Sequence, residues 1–274
     1  MSTIQRRPSP LPFRYRALSN VVWAPLFFSA TAVFGSVSLL ASLFEKSGRV
    51  QHGIARRWAA ASLKIAQSPV EILGEENLRR HEVAVYASNH LSYMDTPVIF
   101  SSLHFQFRIL AKQELWKLPF IGWHLNRSGQ IAVNVENPRA SIASLSNGVR
   151  ALKAGMPLVV FPEGGRNESG HLGVFMNGPA YMAIRAQVPL VPMALVGTYE
   201  LLPMHTRHFY PQPLKLVVGE PISTTEYTTK QVEALTARLW TEIGKLYYAH
   251  APVGSPPDPL TLEESDTVLT RGEE

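Results

Sequence analysis

Residues 21 to 44, VVWAPLFFSATAVFGSVSLLASLF, run for 24 positions without a charge. As a helix this stretch is long enough to cross a hydrocarbon core of roughly 30 Å. It is also longer than the helices usually found in soluble cores. A cleaved signal peptide fits less well, because the apolar run is too long and no small-residue cleavage site precedes a plainly soluble start. Basic residues flank both ends (Arg6, Arg7, Arg14 and Arg16 before; Lys46, Arg49, Arg56 and Arg57 after), so loop charge selects no orientation. The next stretch, ARRWAAASLKIAQS at 55–68, reads as an amphipathic helix with Trp58 and a basic side, suited to a bilayer surface. Together they predict a membrane-dipping helical hairpin, or one span followed by a surface helix. A buried core helix at 21–44 is the alternative.

Downstream the pattern changes to short apolar runs separated by helical stretches. Strands are expected at 70–73, 83–88, 107–111, 130–133, 157–161, 191–196 and 214–218, with helices notably at 138–153 and 229–249. Near-continuous apolar strands alternating with helices indicate an α/β domain whose central sheet, largely parallel or mixed, is covered by helices on both faces. The expected division is a basic N-terminal segment at 1–20, membrane-anchoring helices at 21–68, the α/β domain at 69–250 and an acidic, disordered tail at 251–274. No internal repeat is visible.

Composition narrows the chemistry. With no cysteine there is no disulfide framework, no thiolate metal site and no thioester-forming nucleophile. The net charge is +5, yet the tail after residue 250 holds six acidic residues against Arg271, so the rest of the chain carries +10. That balance suits anionic lipid, nucleotide phosphates or an acidic carrier protein.

The segment NHLSYMD, 89–95, follows the apolar run VAVYAS, so His90 stands at the carboxyl end of a strand, where open α/β sheets collect ligands and chemistry. Asp95 is the only aspartate before residue 258. A loop closing between the two would bring the carboxylate to one imidazole nitrogen and leave the other facing outward, the arrangement of a general base held in one tautomer. Nine His and three Asp predict only about 0.1 His-x4-Asp pairs by chance. Capping the helix that begins at Thr-Pro is an equal explanation for Asp95 from these residues alone. A second cluster, FPEGGRNESG at 161–170, follows the strand PLVVF. It puts Glu163 and Arg166 at another strand end, with Gly164 and Gly165 permitting close backbone approach and Arg166 offering a planar fork to a phosphate or carboxylate. Alone, EGGR would be a turn with a solvated charge.

Competing chemistries lose support. There is no G-x-S-x-G elbow, no second His at helical spacing from His90 to build a metal site, no P-loop and no G-x-G-x-x-G fingerprint. Acyl transfer to an alcohol by a base, without a covalent intermediate, survives.

Over about residues 70–220 the chain resembles the glycerolipid acyltransferases of the 1-acylglycerol-3-phosphate acyltransferase family. NHLSYMD is similar to the family's N-H-x4-D motif, FPEGGR to its F-P-E-G-[TG]-R motif, and VPLVPMALVG at 188–197 to its proline-containing strand motif. VEILGEENL and AKQELWKLPFIGW also match, with Lys112, Glu114, Pro119 and Gly122 in expected places. The resemblance implies His90 as the base and Asp95 as its orienter. It implies Asn89, Lys112, Glu163, Gly164, Gly165 and Arg166 as substrate-binding, with Arg166 on the acceptor's phosphate. It further implies a lysophospholipid acceptor, acyl-CoA or acyl carrier protein as donor substrate, the lipid bilayer as a partner, no nucleic acid, and a membrane location with the site facing the cytoplasm. No cofactor and no metal are expected, since a neutral imidazole and an activated thioester suffice.

Two departures bear on the acceptor. The family's second motif commonly reads G-x-I-x-[IV]-[DN]-R, and GQIAVNV puts Asn134 and Val135 at its last two places; the later F-K-x-G reads FMNG, with Met176 at the lysine. Each removes a cation whose bond to phosphate is worth about 1.5–3 kcal/mol. Lys112, Arg127 or Arg139 are the candidates to compensate. The expected activity is acylation of 1-acylglycerol-3-phosphate to phosphatidic acid. The alternatives are a phosphate-free lysolipid acceptor, such as a hydroxyacylated amino-acid lipid, or a silent lipid-binding protein on the same fold.

Overall fold

The computed structural model describes residues 12–45, 47–80, 83–134, 138–206 and 208–252. Arg6, Arg7, Val135 and the acidic tail from residue 253 lie outside the described residues, as does the side chain of Arg139. The first helical run, Phe13–Ala41, consists of α1 (Phe13–Leu18), a π turn (Ser19–Trp23) and α2 (Ala24–Ala41), and α3 (Arg49–Ile65) returns beside it. Among the described residues this run alone is long and apolar enough to cross a membrane. In its apolar 18-residue stretch only 6% of the residues are buried, which argues against a core helix.

Among the described residues seven strands follow: β1 (Val70–Leu73), β2 (Val85–Ser88), β3 (Arg108–Lys112), β4 (Ile131–Val133), β5 (Leu158–Val160), β6 (Leu190–Val196) and β7 (Leu214–Val218). Between and after them lie α4 (Glu75–Arg80), α5 (Asp95–Ser102), α6 (Ile121–Arg127), α7 (Pro138–Lys153), α8 (Gly178–Ala186), α9 (Thr198–Leu201) and α10 (Val232–Tyr248). All seven expected strands form, within two residues of their expected limits. The sheet order is β1-β7-β6-β2-β5-β3-β4, and every pairing is parallel except β6 with β7.

The apolar runs exist because both faces of the sheet are covered. Tyr86, Val159, Val191, Met193 and Leu195 point into one core layer with α3 and α5, while Val85, Ala87, Leu158, Val160, Ala194 and Val196 point into the other with α8 and α10. Period-2 alternation survives within each strand, but with apolar residues on both sides it reads as a continuous run.

The amphipathic helix expected at 55–68 is α3, and its apolar stripe faces the protein rather than a bilayer. His52, Ala55, Ala59 and Leu63 are buried, and the His52 ring lies 4.7 Å from that of Phe107 and 5.4 Å from that of Phe100. Trp58 Nε1 donates to Thr31 Oγ1 at 3.0 Å, tying α3 to α2. A stripe of period 3.6 reports that one side is shielded from water, and a protein core shields it as well as lipid does.

Candidate active site

β2 and β5 are neighbouring parallel strands, with Ala87 opposite Val160. Their carboxyl ends therefore open on one edge of the sheet, and the loops that follow, 89–94 and 161–177, meet there. His90 and Glu163 are brought together by that pairing across 73 residues of chain.

His90 Nδ1 lies 2.8 Å from Asp95 Oδ2. A carboxylate only accepts, so Nδ1 carries the proton and Nε2 keeps its lone pair. The same Oδ2 also accepts the backbone N–H of Leu91 at 2.8 Å and of Ser92 at 2.9 Å. Asp95 is the first residue of α5, yet no side-chain bond caps that helix; the carboxylate turns back to the preceding loop. The capping explanation therefore fails, and the loop is wound around a carboxylate whose outermost partner is the imidazole. Asp95 is fully buried, whereas the His90 side chain keeps 19% of its surface open. Phe161 stacks on the imidazole at 4.1 Å with the planes 17° apart, which fixes the ring.

Glu163 is turned inward. Its Oε1 accepts the backbone N–H of His90 at 2.8 Å, and its Oε2 accepts that of Gly173 at 2.9 Å. Asn167 N–H in turn donates to the His90 carbonyl at 2.9 Å, so the loop after β5 grips both sides of the His90 peptide. Burial pushes the Glu163 carboxyl up to about 8, with the Asp95 charge adding to the rise, against the two N–H bonds that favour the ionised form. Its folded value lies above the ordinary 4.5, so its contribution to stability is full below about 4.5 and lost as pH rises through about 8. Glu163→Gln is accordingly expected to flatten the fall in unfolding free energy across that window, measured by chemical denaturation at several pH values. Parallel curves for the two proteins would show that the carboxyl titrates normally.

Arg166 lies over the ring of Tyr93, 3.5 Å from its centre, and its Nη1 is buried with no hydrogen-bond partner among the described residues. Lys112, at the end of β3, reaches the same turn: a Cβ on Gly165 would stand 3.6 Å from its Nζ. Gly164 has φ +68°, and a Cβ there would stand 2.6 Å from Met176 Sδ, so the turn tolerates only glycine at that place and Met176 covers it. Asn89, implied as a substrate contact, is instead fully buried. Its Oδ1 accepts Leu195 N–H at 2.7 Å and its Nδ2 donates to Leu195 O at 2.9 Å, pinning the end of β2 to β6.

Several participants carried no signal in sequence. Tyr93 occupies one of the unspecified places of the N-H-x4-D motif. On α10, Trp240 Nε1 donates to Gly173 O at 3.0 Å, Tyr247 OH donates to Gly170 O at 2.8 Å, and Tyr248 OH accepts Leu172 N–H at 3.2 Å. These bonds hold the loop that carries Glu163 and Arg166. Aromatic residues at helical spacing read equally well as ordinary core.

Known proteins share the sequence around this site. Residues 69–196 match the model of the acyltransferase family, a stretch that contains His90, Asp95, Glu163 and Arg166. That stretch is just under half of the chain, and within it residues 89–95 and 161–166 are similar to the motifs of the glycerolipid acyltransferases. A chloroplastic 1-acyl-sn-glycerol-3-phosphate acyltransferase of Arabidopsis thaliana is 33% identical over 156 residues, covering 57% of this chain and 43% of that protein. An uncharacterized acyltransferase of Schizosaccharomyces pombe is 26% identical over 227 residues, covering 81% and 79%. Against the first curated relatives the matched region spans only 43%, 47% and 60% of their length. The crystal structure of the 1-acyl-sn-glycerophosphate acyltransferase PlsC from Thermotoga maritima shares the fold with TM-score 0.67 at 24% identity, over 83% of this chain and 97% of that one.

Proposed function

We propose that this protein transfers an acyl chain from acyl-CoA or acyl carrier protein to the free hydroxyl of 1-acyl-sn-glycerol-3-phosphate, forming phosphatidic acid at a membrane surface. The observation that carries the reading is the Nδ1–Asp95 bond of 2.8 Å on an imidazole otherwise open to a ligand, beside a turn bearing Arg166 and approached by Lys112. In this reading the acceptor hydroxyl gives its proton to His90 Nε2 as its oxygen attacks the thioester carbonyl. The buried Asp95 charge stabilises the imidazolium that forms. Collapse of the tetrahedral intermediate expels the thiolate, which recovers the proton from His90. The ester stays on the acceptor, the thiol leaves, and His90 returns to its starting state. Arg166 Nη1 and Lys112 Nζ are the donors for the acceptor phosphate. Both donor substrates meet the membrane from the cytoplasmic side, so the site faces there.

A phosphate-free lysolipid is the second reading, favoured by Met176 lying over Gly164, at the place where the motif that FMNG resembles has lysine. The assay that separates them uses purified protein in detergent, each donor in turn, and 1-acylglycerol-3-phosphate beside phosphate-free lysolipids. Turnover confined to the latter sinks the first reading. If the phosphate is the ligand, Arg166→Ala should raise KM for that acceptor roughly 10- to 100-fold, the loss of one charge-assisted contact. An unchanged KM would remove Arg166 from the acceptor pocket.

A further inference from the structure

Large apolar side chains that stay exposed gather in two places near one another. One is the outer face of α2, with Val33, Val37 and Leu40; the other is the segment Leu118–Trp123, where Leu118, Phe120, Ile121 and Trp123 are between 38% and 52% exposed. The second is held by a costly backbone. Ile121 N–H donates to Pro119 O at 2.6 Å across a single residue, and Phe120 between them has φ 61°, ψ −50°, a tight three-residue turn that side chains other than glycine rarely adopt. Such a conformation costs about 1–3 kcal/mol and persists only where its surroundings enforce it. Here they do. A Cβ on Gly122 would stand 2.1 Å from Trp116 O, so the chain can close there only through glycine. Phe120 Cβ lies 3.2 Å from where a Cβ on Gly35 of α2 would stand, and His124 Nδ1 meets Ser38 Oγ at 2.7 Å. The strained turn thus locks an apolar knuckle against α2 with Trp123 facing out.

Two neighbours indicate what covers it. Lys112, Lys117 and Arg127, all exposed, border the segment with Glu114 as the one acid between them, a basic rim suited to anionic headgroups. The chain that leads into the segment leaves β3 at Lys112, which reaches the Gly165 turn of the active site. We propose that Leu118–Trp123 is a membrane-docking knuckle that enters the headgroup boundary of an anionic bilayer beside α2. It sets the His90 site at the lipid surface so that an acceptor lipid reaches it sideways from the bilayer. An amphipathic aromatic body, branched apolar neighbours and a basic rim are the chemistry of that boundary. The proposal rests on the membrane-acylation reading above and adds the surface through which it operates.

The chain has no cysteine, so a single cysteine introduced at Ile121, at Val37 or at Ile142 takes one nitroxide label. Ile142 is exposed on α7, across the sheet from α2. In vesicles of equal phosphatidylcholine and phosphatidylglycerol, labels at 37 and 121 are expected to relax with oxygen, and the label at 142 with a water-soluble nickel chelate. A label at 121 that behaves like the one at 142, while 37 lies in lipid, overturns the knuckle and leaves the helix as anchor. All three in water overturns both. Dipolar broadening between labels at 121 would assign the surface to a second copy and equally overturn the proposal. In parallel, Ile121→Asp combined with Trp123→Asp should raise the apparent KM for vesicle-borne acceptor roughly tenfold, while turnover of a short-chain, water-soluble acceptor stays unchanged. Equal loss on both acceptors would indicate damage to the site and count against docking. Failure of the unmutated protein on the short-chain acceptor would refute the acylation reading, independently of the knuckle.

Discussion

On the proposed reaction, His90→Ala is expected to lower acyl transfer by roughly 10,000-fold, at the upper end of what a positioned general base contributes, because among the described residues no neighbouring group can take the hydroxyl proton in its place. Asp95 has its bonded oxygen turned to backbone amides, and Glu163 is committed to the amides of His90 and Gly173. The fold should survive. Removing the ring deletes one hydrogen bond to Asp95 and the stack on Phe161, while Asp95 keeps Leu91 and Ser92. That costs about 1–2 kcal/mol. The measurement is single-turnover transfer from acyl-CoA beside a thermal melt: a folded protein with a tenth of the original rate would remove His90 from the role of base.

Replacement of Asp95 should divide the carboxylate's two tasks. An asparagine can place its oxygen where Oδ2 lies and keep all three N–H bonds, including the one that fixes the imidazole tautomer, but it brings no charge to stabilise the imidazolium. Asp95→Asn is therefore expected to lose roughly 100- to 10,000-fold in rate with a small change in stability. Asp95→Ala loses the rate and also leaves two buried backbone amides without an acceptor, at about 1–3 kcal/mol each. If Asp95→Asn were nearly as fast as the unmutated protein, the carboxylate would be a loop-former only. Near-equal melting of the asparagine and alanine variants would instead mean that the 89–95 loop is held by other contacts.

The strands were legible because a sheet covered on both faces leaves short apolar runs, and α7 and α10 because their period survives without interruption. Motif spacing placed His90 with Asp95 and Glu163 with Arg166, and strand order placed both pairs at strand ends. Readings that turned on the identity of a neighbour fared differently. Asn89 resembled a substrate contact until Leu195, 106 residues away, took its amide. Glu163 reads as an exposed polar group of a turn, and only the packed structure shows its carboxylate spent on the backbone of His90. The stripe of α3 suited a bilayer as well as it suits α5. The antiparallel turn of β7 beside β6 left no mark that a parallel strand would lack.

By itself the sequence determined the α/β architecture, the long uncharged helix and the residue types that meet at the edge of the sheet, since each follows from local periodicity or from spacing within a loop. Only the tertiary structure decided what those residues do: which oxygen holds the imidazole, which carboxylate faces inward, which helices grip the loop and which apolar surface stays uncovered. Hydrogen bonds and burial are made between groups far apart in the chain, and an isolated side chain carries its chemistry in sequence but not its partner.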